Sequence, residues 1–339
     1  MKNIYDLTLN ELENYLLSIN EKKYRAIQIY DFLYVKKVAS FDDMTNLSLE
    51  LRNKLKEDFV LEKPELIKEQ QDVDVNKYLF KLSDGNLIET VLMKHNYGLS
   101  LCISSEVGCN MGCIFCESGR LKKVRNLSAY ELVTQILYVE ELTKSRITHV
   151  VIMGIGEPFD NYDNIMKFVT IVNDPKGLAL GSRHITISTC GIIPKIKKFS
   201  EEPFQVNLAI SLHAPTDSLR SKIMPINKVY PLDDLINAVK DYIKKTNRRV
   251  TFEYILLDNV NDKDSDAIAL AKLLKGINCY VNLIPYNESS NFTLKRSNSS
   301  QIRTFYDILK KNNINVTIRR EFGSKISAAC GQLRSNKEE

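Results

Sequence analysis

Apolar runs and helical patterns alternate regularly over most of this chain. From Leu99 onward, short runs rich in β-branched residues predict strands, at residues 101–104, 148–153, 184–189, 206–212, 250–257, 280–285 and 316–319. Apolar residues at helical spacing predict helices between them, at 128–142, 161–172, 232–244 and 264–274. Such alternation predicts parallel strands joined by crossover helices, so we expect an α/β fold with either an open sheet or a barrel.

The first part of the chain follows a different pattern. Residues 1–60 predict three short helices, the first of which begins at a capping box formed by Thr8 and Glu11. Two apolar runs at 78–82 and 88–93, joined by a Ser-Asp-Gly-Asn turn, predict a β-hairpin. The chain therefore divides into a helical unit (1–62), a β-hairpin linker (63–97), a main α/β domain (98–322) and a C-terminal segment (323–339).

Composition narrows the class of protein. The acidic, amphipathic N-terminus lacks the features of a signal peptide, and no apolar run approaches the roughly 20 residues that a membrane span requires. We therefore expect a cytoplasmic protein with no membrane partner. In a reducing compartment the seven cysteines are expected to be thiols available for metal binding or redox chemistry.

The distribution of positive charge is more informative than the modest net charge of +5. Basic clusters lie at residues 120–125, 195–198, 244–249, 295–296 and 319–320. Each cluster alone is typical of a solvated helix end or loop. Several clusters on one face would instead bind phosphates. Charge alone leaves RNA binding and a solvated surface equally open.

Three closely spaced cysteines, Cys109, Cys113 and Cys116, are the main candidate for a metal site. A structural zinc site and a ferredoxin-type cluster each use four protein ligands. No fourth cysteine or histidine lies within the cysteine run, since Cys102 is on the preceding predicted strand and the next histidine downstream is His149. The pattern therefore predicts a metal centre with one position open to a substrate or cofactor.

Polar motifs follow the predicted strands at their C-terminal ends, where barrel enzymes place their active sites. They are the cysteine loop, Gly154–Pro158, Ser188, Ser211–His213 and Pro285–Asn287. Each is weak alone, because a glycine turn is often only a turn and a lone histidine is often a core residue. Their shared position favours a common site, in which Glu157 is suited to hold a ribose hydroxyl or an amino group.

The other four cysteines divide into two groups. Cys190 and Cys279 lie beside strands and are most simply small buried apolar residues. Cys330 lies past the last strand, among small residues and beside Gly331, which is typical of a reactive thiol. Cys102, one strand before the cysteine loop, is a candidate partner for it.

Together these residues resemble the radical S-adenosylmethionine (SAM) superfamily and, within it, the RNA adenine methyltransferases of the RlmN and Cfr types. The resemblance covers nearly the whole chain. It rests on C-x6-C-x3-C-x2-C at 102–116, GEP at 156–158, SLHAP at 211–215, MPIN at 224–227 and AACGQL at 328–333. The three-cysteine run alone indicates only the superfamily, whereas Cys102 with AACGQL is far more specific.

The resemblance implies a partial (β/α)6-type radical SAM barrel, preceded by a helical RNA-binding unit and a hairpin that carries Glu89. Cys109, Cys113 and Cys116 would hold a 4Fe–4S cluster whose open iron binds SAM. The implied contacts to SAM are Gly156, Glu157, Ser188, Ser211, Leu212, His213 and Asn287.

The resemblance also implies a two-stage reaction that uses two SAM molecules per turnover. Cys330 would first take a methyl group from SAM, and a second SAM would supply the radical that activates this methyl toward the adenine ring. Glu89 would accept the ring proton. Cys102 would then attack Cys330, which releases the methylated RNA and leaves a disulfide for external thiols to reduce.

The segments GEP, TNRRVTFEY at 246–254 and VNLIPYN at 281–287 resemble the RlmN type. That type implies methylation of C2 of adenine 2503 in 23S rRNA, and of adenine 37 in tRNA in some members, with a flavodoxin or ferredoxin system as electron donor. The alternatives are Cfr-type methylation at C8, a radical SAM enzyme with another substrate, and a non-catalytic RNA-binding protein with a structural zinc. Two departures from the family pattern are Lys325 and Ser327 before AACGQL, and Glu-Ser-Gly at 117–119.

Overall fold

The computed structural model describes residues 1–289, 291–319, 323 and 326–333. The N-terminal unit contains β1 (Lys2–Asn3), α1 (Leu9–Ser18), α2 (Arg25–Tyr30), α3 (Leu49–Asp58) and β2 (Phe59–Val60). Strands β1 and β2 pair in parallel, and a π-helical turn at Asp31–Lys36 follows α2 directly. The predicted capping box is confirmed, because Thr8 and Glu11 each accept a hydrogen bond from the other's backbone N–H.

Residues that follow this unit form three antiparallel strands, one more than the predicted hairpin. They are β3 (Glu65–Asp72), β4 (Val75–Lys81) and β5 (Leu87–His95). The sequence of β3, ELIKEQQD, lacks a strand-like apolar pattern because this strand lies at the sheet edge, where its residues alternate between exposed and half-buried. Strand β5 pairs with the first strand of the main domain, so the segment continues the main sheet.

Seven parallel strands complete a ten-stranded sheet. They are β6 (Gly98–Ile103), β9 (His149–Ile152), β10 (Ile185–Thr189), β11 (Asn207–Ser211), β12 (Val250–Leu256), β13 (Cys279–Pro285) and β14 (Val316–Ile318). The order of the ten strands across the sheet is β14-β13-β12-β11-β10-β9-β6-β5-β4-β3. A separate two-stranded ribbon, β7 (Glu106–Val107) with β8 (Arg125–Asn126), follows β6. Every predicted strand of the main domain is present.

Helices connect the parallel strands as the alternating pattern predicts. They are α4 (Ala129–Thr143), α5 (Tyr162–Asn173), α6 (Ile193–Phe199), α7 (Asp217–Ile223), α8 (Leu232–Thr246), α9 (Asp264–Leu274) and α10 (Ser299–Lys311). Side chains from six of the parallel strands line a common cavity, so the sheet curves into a partial barrel. The expected α/β barrel-type fold is confirmed. No helix among the described residues is long and apolar enough to cross a membrane.

The N-terminal unit and the barrel share one hydrophobic core. Leu12 and Leu16 of α1 belong to the same buried cluster as the apolar residues of α4 and α5. Polar contacts reinforce this packing, since Lys37 pairs with Glu140 on α4 at 2.6 Å. The unit is therefore packed against one side of the barrel.

Candidate active site

The cysteine loop leaves β6 at the C-terminal edge of the sheet, and its two arms are held together by backbone hydrogen bonds. Cys109 N donates to Leu121 O at 3.0 Å, and Val124 N donates to Val107 O at 2.7 Å. Gly108 has φ +76°, and a Cβ there would lie 2.1 Å from Lys122 O. A glycine is therefore required at the point where the arms approach.

The three cysteines of this loop line one cavity, which we call the front cavity. Cys109 is buried, while Cys113 and Cys116 are half-buried. Burial raises the pKa of Cys109 to about 12, and burial together with the neighbouring thiols raises the pKa of Cys113 and Cys116. Such thiols become good ligands once a cation replaces their protons.

The three thiols that line the front cavity are a donor set suited to an iron–sulfur cluster. Within the described part of the chain, no three His, Cys, Asp or Glu side chains converge so as to hold one metal ion. A zinc ion requires its ligands about 2.0–2.3 Å from one point. In an iron–sulfur cluster each cysteine binds its own iron. Such a cluster therefore suits three thiols that line one cavity without converging on one point.

Five of the seven residues implied as SAM contacts line the front cavity with the cysteines, namely Gly156, Glu157, Ser188, Ser211 and His213. The side chain of Leu212 does not, because it is fully buried in the barrel core. Asn287 lines the adjoining cavity instead. Its Oδ1 atom is buried and has no hydrogen-bond partner among the described residues, as expected of a group that binds a ligand.

Glu157 fixes the shape of the GEP turn. Its carboxylate accepts hydrogen bonds from Cys190 N at 2.7 Å and from Phe159 N at 2.9 Å, although burial raises its pKa. The preceding Gly156 has φ +109°, and a Cβ there would lie 2.6 Å from Glu106 Cγ. Glu106 in turn accepts from Glu157 N at 3.0 Å, so this turn is tied to the cysteine loop.

His213 is neutral and has a defined tautomer. Its Nδ1 accepts a hydrogen bond from Ile255 N at 3.0 Å, so the ring proton is on Nε2. Burial lowers its pKa to about 3. The ring packs edge-on against Phe115 of the cysteine loop, with centroids 4.8 Å apart. His213 is thus a satisfied buried histidine that also lines the front cavity.

Arg220 on α7 organises this site and was not identified from the sequence. Its guanidinium is fully buried and donates to Cys190 O at 2.6 Å, Ser211 O at 3.1 Å and Leu212 O at 3.2 Å. A fourth hydrogen bond reaches Asn227 of the MPIN motif at 2.9 Å. The only feature of the sequence that could have indicated this role is that the arginine lies in the same short helix as the apolar Ile223.

Cys102 and Cys330 line the same cavity, which we call the thiol pocket. Cys102 is buried, and burial raises its pKa to about 12. Cys330 is half-buried and also lines the front cavity, so it is shared by the two cavities. The two thiols lie far apart in sequence but close together in the fold, as the reaction implied by the resemblance requires.

Hydrogen bonds hold the segment that carries Cys330 against the cysteine loop. Glu117 N donates to Gly331 O at 2.7 Å, and Ser118 Oγ donates to Leu333 O at 2.7 Å. Glu117 and Ser118, which belong to the stretch that departs from the family pattern, thus provide two of the docking contacts. Of the other departure, Lys325 lies outside the described residues, and the backbone carbonyl of Ser327 accepts a hydrogen bond from Lys77 Nζ at 3.3 Å.

Glu89 lies on β5 and is buried beside Lys77, with 3.2 Å between the carboxylate and Nζ. Lys77 Nζ also donates to Ser327 O at 3.3 Å, three residues before Cys330. Glu89 shares its face of β5 with Val91 and Met93, which line the thiol pocket. Glu89 is therefore adjacent to the thiol pocket without lining it.

Several members of the predicted basic clusters are neutralised by acidic neighbours. Lys123 pairs with Glu106 and Asp160, both at 2.6 Å. Other pairs of this kind are Arg125 with Glu131, Lys198 with Asp163 and Lys245 with Glu201. These residues are best interpreted as structural or solvated. Arg320 of the last cluster lies outside the described residues.

Comparison with known proteins agrees with this geometry. The radical SAM superfamily model matches residues 103–271, which span the cysteine loop and most of the barrel. The model described as "Ribosomal RNA large subunit methyltransferase N-terminal domain" matches residues 2–61. The fold and the cysteine loop therefore define a radical SAM enzyme.

Similar proteins extend over the full chain. A protein from Spiroplasma citri named "Probable dual-specificity RNA methyltransferase RlmN" is 54% identical, over 100% of this chain and 99% of its own length. An Enterococcus faecalis protein with the same name is 52% identical, over 98% of this chain and 96% of its own. The crystal structure of a radical SAM methyltransferase from Sphaerobacter thermophilus is 42% identical, with a TM-score of 0.95 and coverage of 99% and 100%. This chain belongs to the RlmN family of radical SAM RNA methyltransferases.

Proposed function

We propose that this enzyme methylates C2 of adenine 2503 in 23S rRNA and of adenine 37 in tRNA, through a methylated cysteine. The name of its relatives, a dual-specificity RNA methyltransferase, supports the two substrates. The observation that carries the cysteine route is that Cys102 and Cys330 line one pocket beside the front cavity. A radical SAM enzyme that did not use a cysteine carrier would need neither thiol.

The residues of the front cavity fit the cofactors that the superfamily uses. Cys109, Cys113 and Cys116 would hold a 4Fe–4S cluster, and the turn at Gly156 suits SAM. Asn287 in the adjoining cavity also suits SAM, because its Oδ1 has no hydrogen-bond partner among the described residues. When bound, the cluster and two SAM molecules per turnover supply a methyl group and a radical able to abstract hydrogen. The polypeptide positions them and excludes water.

The protein's own groups account for the other steps. Cys330, between the two cavities, accepts the methyl group as a thiolate and later bonds through it to the flipped adenine. Glu89, held by Lys77, accepts the C2 proton. The Cys102 thiolate then attacks the Cys330 sulfur and forms a disulfide. The electron pair of the broken carbon–sulfur bond goes to the methylene carbon on the adenine, which takes up a proton and becomes the methyl group.

The proposal also covers how the RNA substrate is bound and how the electron is delivered. The N-terminal unit, which packs against the barrel, would help to bind RNA in the cytoplasm. A flavodoxin or ferredoxin system would deliver the electron that cluster chemistry requires.

Replacing the resolving thiol tests the cysteine route. We expect Cys102→Ala to stop at a covalent protein–RNA adduct, because the bond between Cys330 and adenine then has no internal nucleophile to break it. Cys279→Ala is the matched control, since Cys279 is buried but lines none of these cavities. Gel analysis of purified variants with and without RNase detects the adduct. A Cys102→Ala enzyme that is free of RNA and fully active would contradict the route.

The product distinguishes this proposal from methylation at C8. The protein is expressed in a strain lacking its own C2 methyltransferase, and nucleosides from rRNA and tRNA are analysed by mass spectrometry. We expect 2-methyladenosine from both RNAs. If 8-methyladenosine is the main product, the C2 assignment is wrong although the reaction class remains.

A further inference from the structure

A third cavity opens at the opposite end of the barrel from the cysteine loop. Its lining includes residues from six parallel strands, most of them in the N-terminal half of the strand, namely Ser100, Val151, Thr186, Asn207, Thr251 and Asn282. Asn207 is exposed, so this rear cavity communicates with solvent. The proposed mechanism uses none of these six residues.

The inner layer of the barrel is unusually small and polar at this end. Large branched apolar side chains normally fill the interior of a (β/α) barrel. Here most inward positions carry serine, threonine or asparagine, and Thr186, Thr251 and Asn282 are only half-buried. The barrel is therefore hollow at its rear.

Only a few side chains separate the rear cavity from the reactive thiols. Met153 and Arg319 line the rear cavity, the thiol pocket and the front cavity, and Glu253 lines both the rear and front cavities. Met93 is shared by the rear cavity and the thiol pocket. Two of these boundary residues are flexible methionines, which can move aside without breaking a hydrogen bond.

Strand register places Cys102 on the wall that leads to this cavity. Cys102 is aligned with Val151, Val151 with Thr186, and Thr186 with Asn207. Aligned residues of a parallel sheet point to the same face, so this row runs from the buried thiol to the exposed rim. The rear cavity therefore reaches toward Cys102 from the side opposite the cysteine loop.

The entrance carries positive charge. Arg249 is exposed at the rim, and Arg319 lies deeper, with its guanidinium 4.0 Å from the Glu253 carboxylate. Glu253 is the buried acidic group in the same lining, and its other oxygen accepts from Asn282 at 3.0 Å. Arg249 is therefore left as the outermost charge, which favours anionic solutes.

We propose that the rear cavity admits small thiols, anionic ones best, that reduce the Cys102–Cys330 disulfide. This inference rests on the proposed function, which forms that disulfide in each turnover. One thiolate attacks a sulfur of the disulfide and forms a mixed disulfide, and a second thiol displaces it. The two small thiols become one disulfide and supply two electrons, and both cysteines return as thiols. Rear entry allows this reduction while RNA covers the front.

Filling the rear cavity tests the route. The disulfide is formed with diamide in the cluster-loaded enzyme, tRNA is added to saturation, and reduction by 2-mercaptoethanesulfonate is followed by alkylation and mass spectrometry. We expect Thr186→Leu with Thr251→Leu to slow reduction about tenfold or more, because added side chains close the passage, while methylation in the first turnover is unchanged. A folded variant reduced at the native rate would overturn the proposal, as would abolition of reduction by tRNA.

The charge of the thiol provides a second test that does not depend on repacking. At equal thiolate concentration, we expect 2-mercaptoethanesulfonate to react faster than 2-mercaptoethanol, and cysteamine slowest. Arg249→Gln is expected to reduce the advantage of the sulfonate about threefold, since a single exposed charge steers weakly, and Arg303→Gln, an exposed arginine on α10, is the control. Equal effects of the two variants would contradict rear entry. If turnover forms no disulfide but the diamide-formed bond is reduced as expected, only the proposed function fails.

Discussion

At the scale of single residues, the site depends on buried polar groups whose partners are backbone atoms. Glu157 and Arg220 bond to the backbone of Cys190 in the loop after β10, and His213 bonds to the backbone of Ile255 in β12. A buried polar group is costly when a partner is lost, because nothing replaces the missing hydrogen bond. These residues therefore fix the relative positions of loops that the sheet alone would leave free.

Arg220→Lys tests this role most directly. A lysine has one donor group and cannot reach all four acceptors that the planar guanidinium serves. We expect a loss of about 2–4 kcal/mol in the free energy of unfolding and weaker binding of SAM to the folded protein. Urea unfolding and calorimetric titration measure these effects. Arg303→Lys on the exposed face of α10 is the control and is expected to be neutral.

His213 makes the free energy of unfolding depend on pH. Its pKa is about 3 in the folded state and about 6.5 when unfolded, so below pH 6.5 the unfolded chain binds the extra proton. The free energy of unfolding should fall as pH is lowered from 6.5, by about 1.4 kcal/mol per pH unit from this group.

The variant His213→Asn isolates this effect. Asparagine tolerates the φ of +57° and offers an acceptor but no titratable group. We expect a shallower pH dependence between pH 6.5 and 4.5 in urea unfolding of the variant. Parallel curves for the two proteins would show that His213 is not held neutral.

At the scale of elements, the sequence predicts the sheet well and the loop contacts poorly. The alignment of parallel strands brings Ser188, Ser211 and the cysteine loop to one edge, so local patterns were sufficient to locate the site. The contacts that shape it join distant loops, as Arg220 does, and no local pattern encodes them. The sequence does not predict β3, because an edge strand can be polar. It names Leu212 as a SAM contact but does not reveal that this side chain points into the core, because a motif does not show the direction of a side chain.

The contacts that dock the segment carrying Cys330 also join distant parts of the chain, and their strength can be measured. Ser118 Oγ donates to Leu333 O, and Ser118→Ala removes this bond. We expect the loss of about 1 kcal/mol to open the segment about fivefold more often. Alkylation of Cys330 by iodoacetamide, measured by peptide mass spectrometry, should accelerate accordingly. Ser145→Ala, on an exposed loop, is the control. An unchanged rate would mean that the other docking contacts suffice.

At the scale of the whole molecule, three segments that the sequence separates share one hydrophobic core, namely the N-terminal unit, the hairpin segment and the barrel. The N-terminal unit contributes Leu12, Leu16 and Tyr30 to the core of the barrel. Gly177, in the loop after α5, approaches Tyr30 and Tyr34 so closely that a Cβ would lie 3.2 Å from the Tyr34 ring. The hairpin segment extends the barrel sheet. The sequence patterns of these segments therefore differ because their secondary structures differ, although the segments share one core.

Unfolding tests this continuity. Because the unit and the barrel bury each other's apolar surface, we expect a single cooperative transition, with the same midpoint by far-ultraviolet circular dichroism and by tyrosine fluorescence. Tyr34→Ala, at the interface, should lower that midpoint while keeping one transition, because it removes a buried ring that costs about 3–5 kcal/mol to lose. Tyr24→Ala, an exposed tyrosine before α2, is the control. Two separated transitions, with only the first moved by Tyr34→Ala, would show that the N-terminal unit folds independently and is only tethered to the barrel.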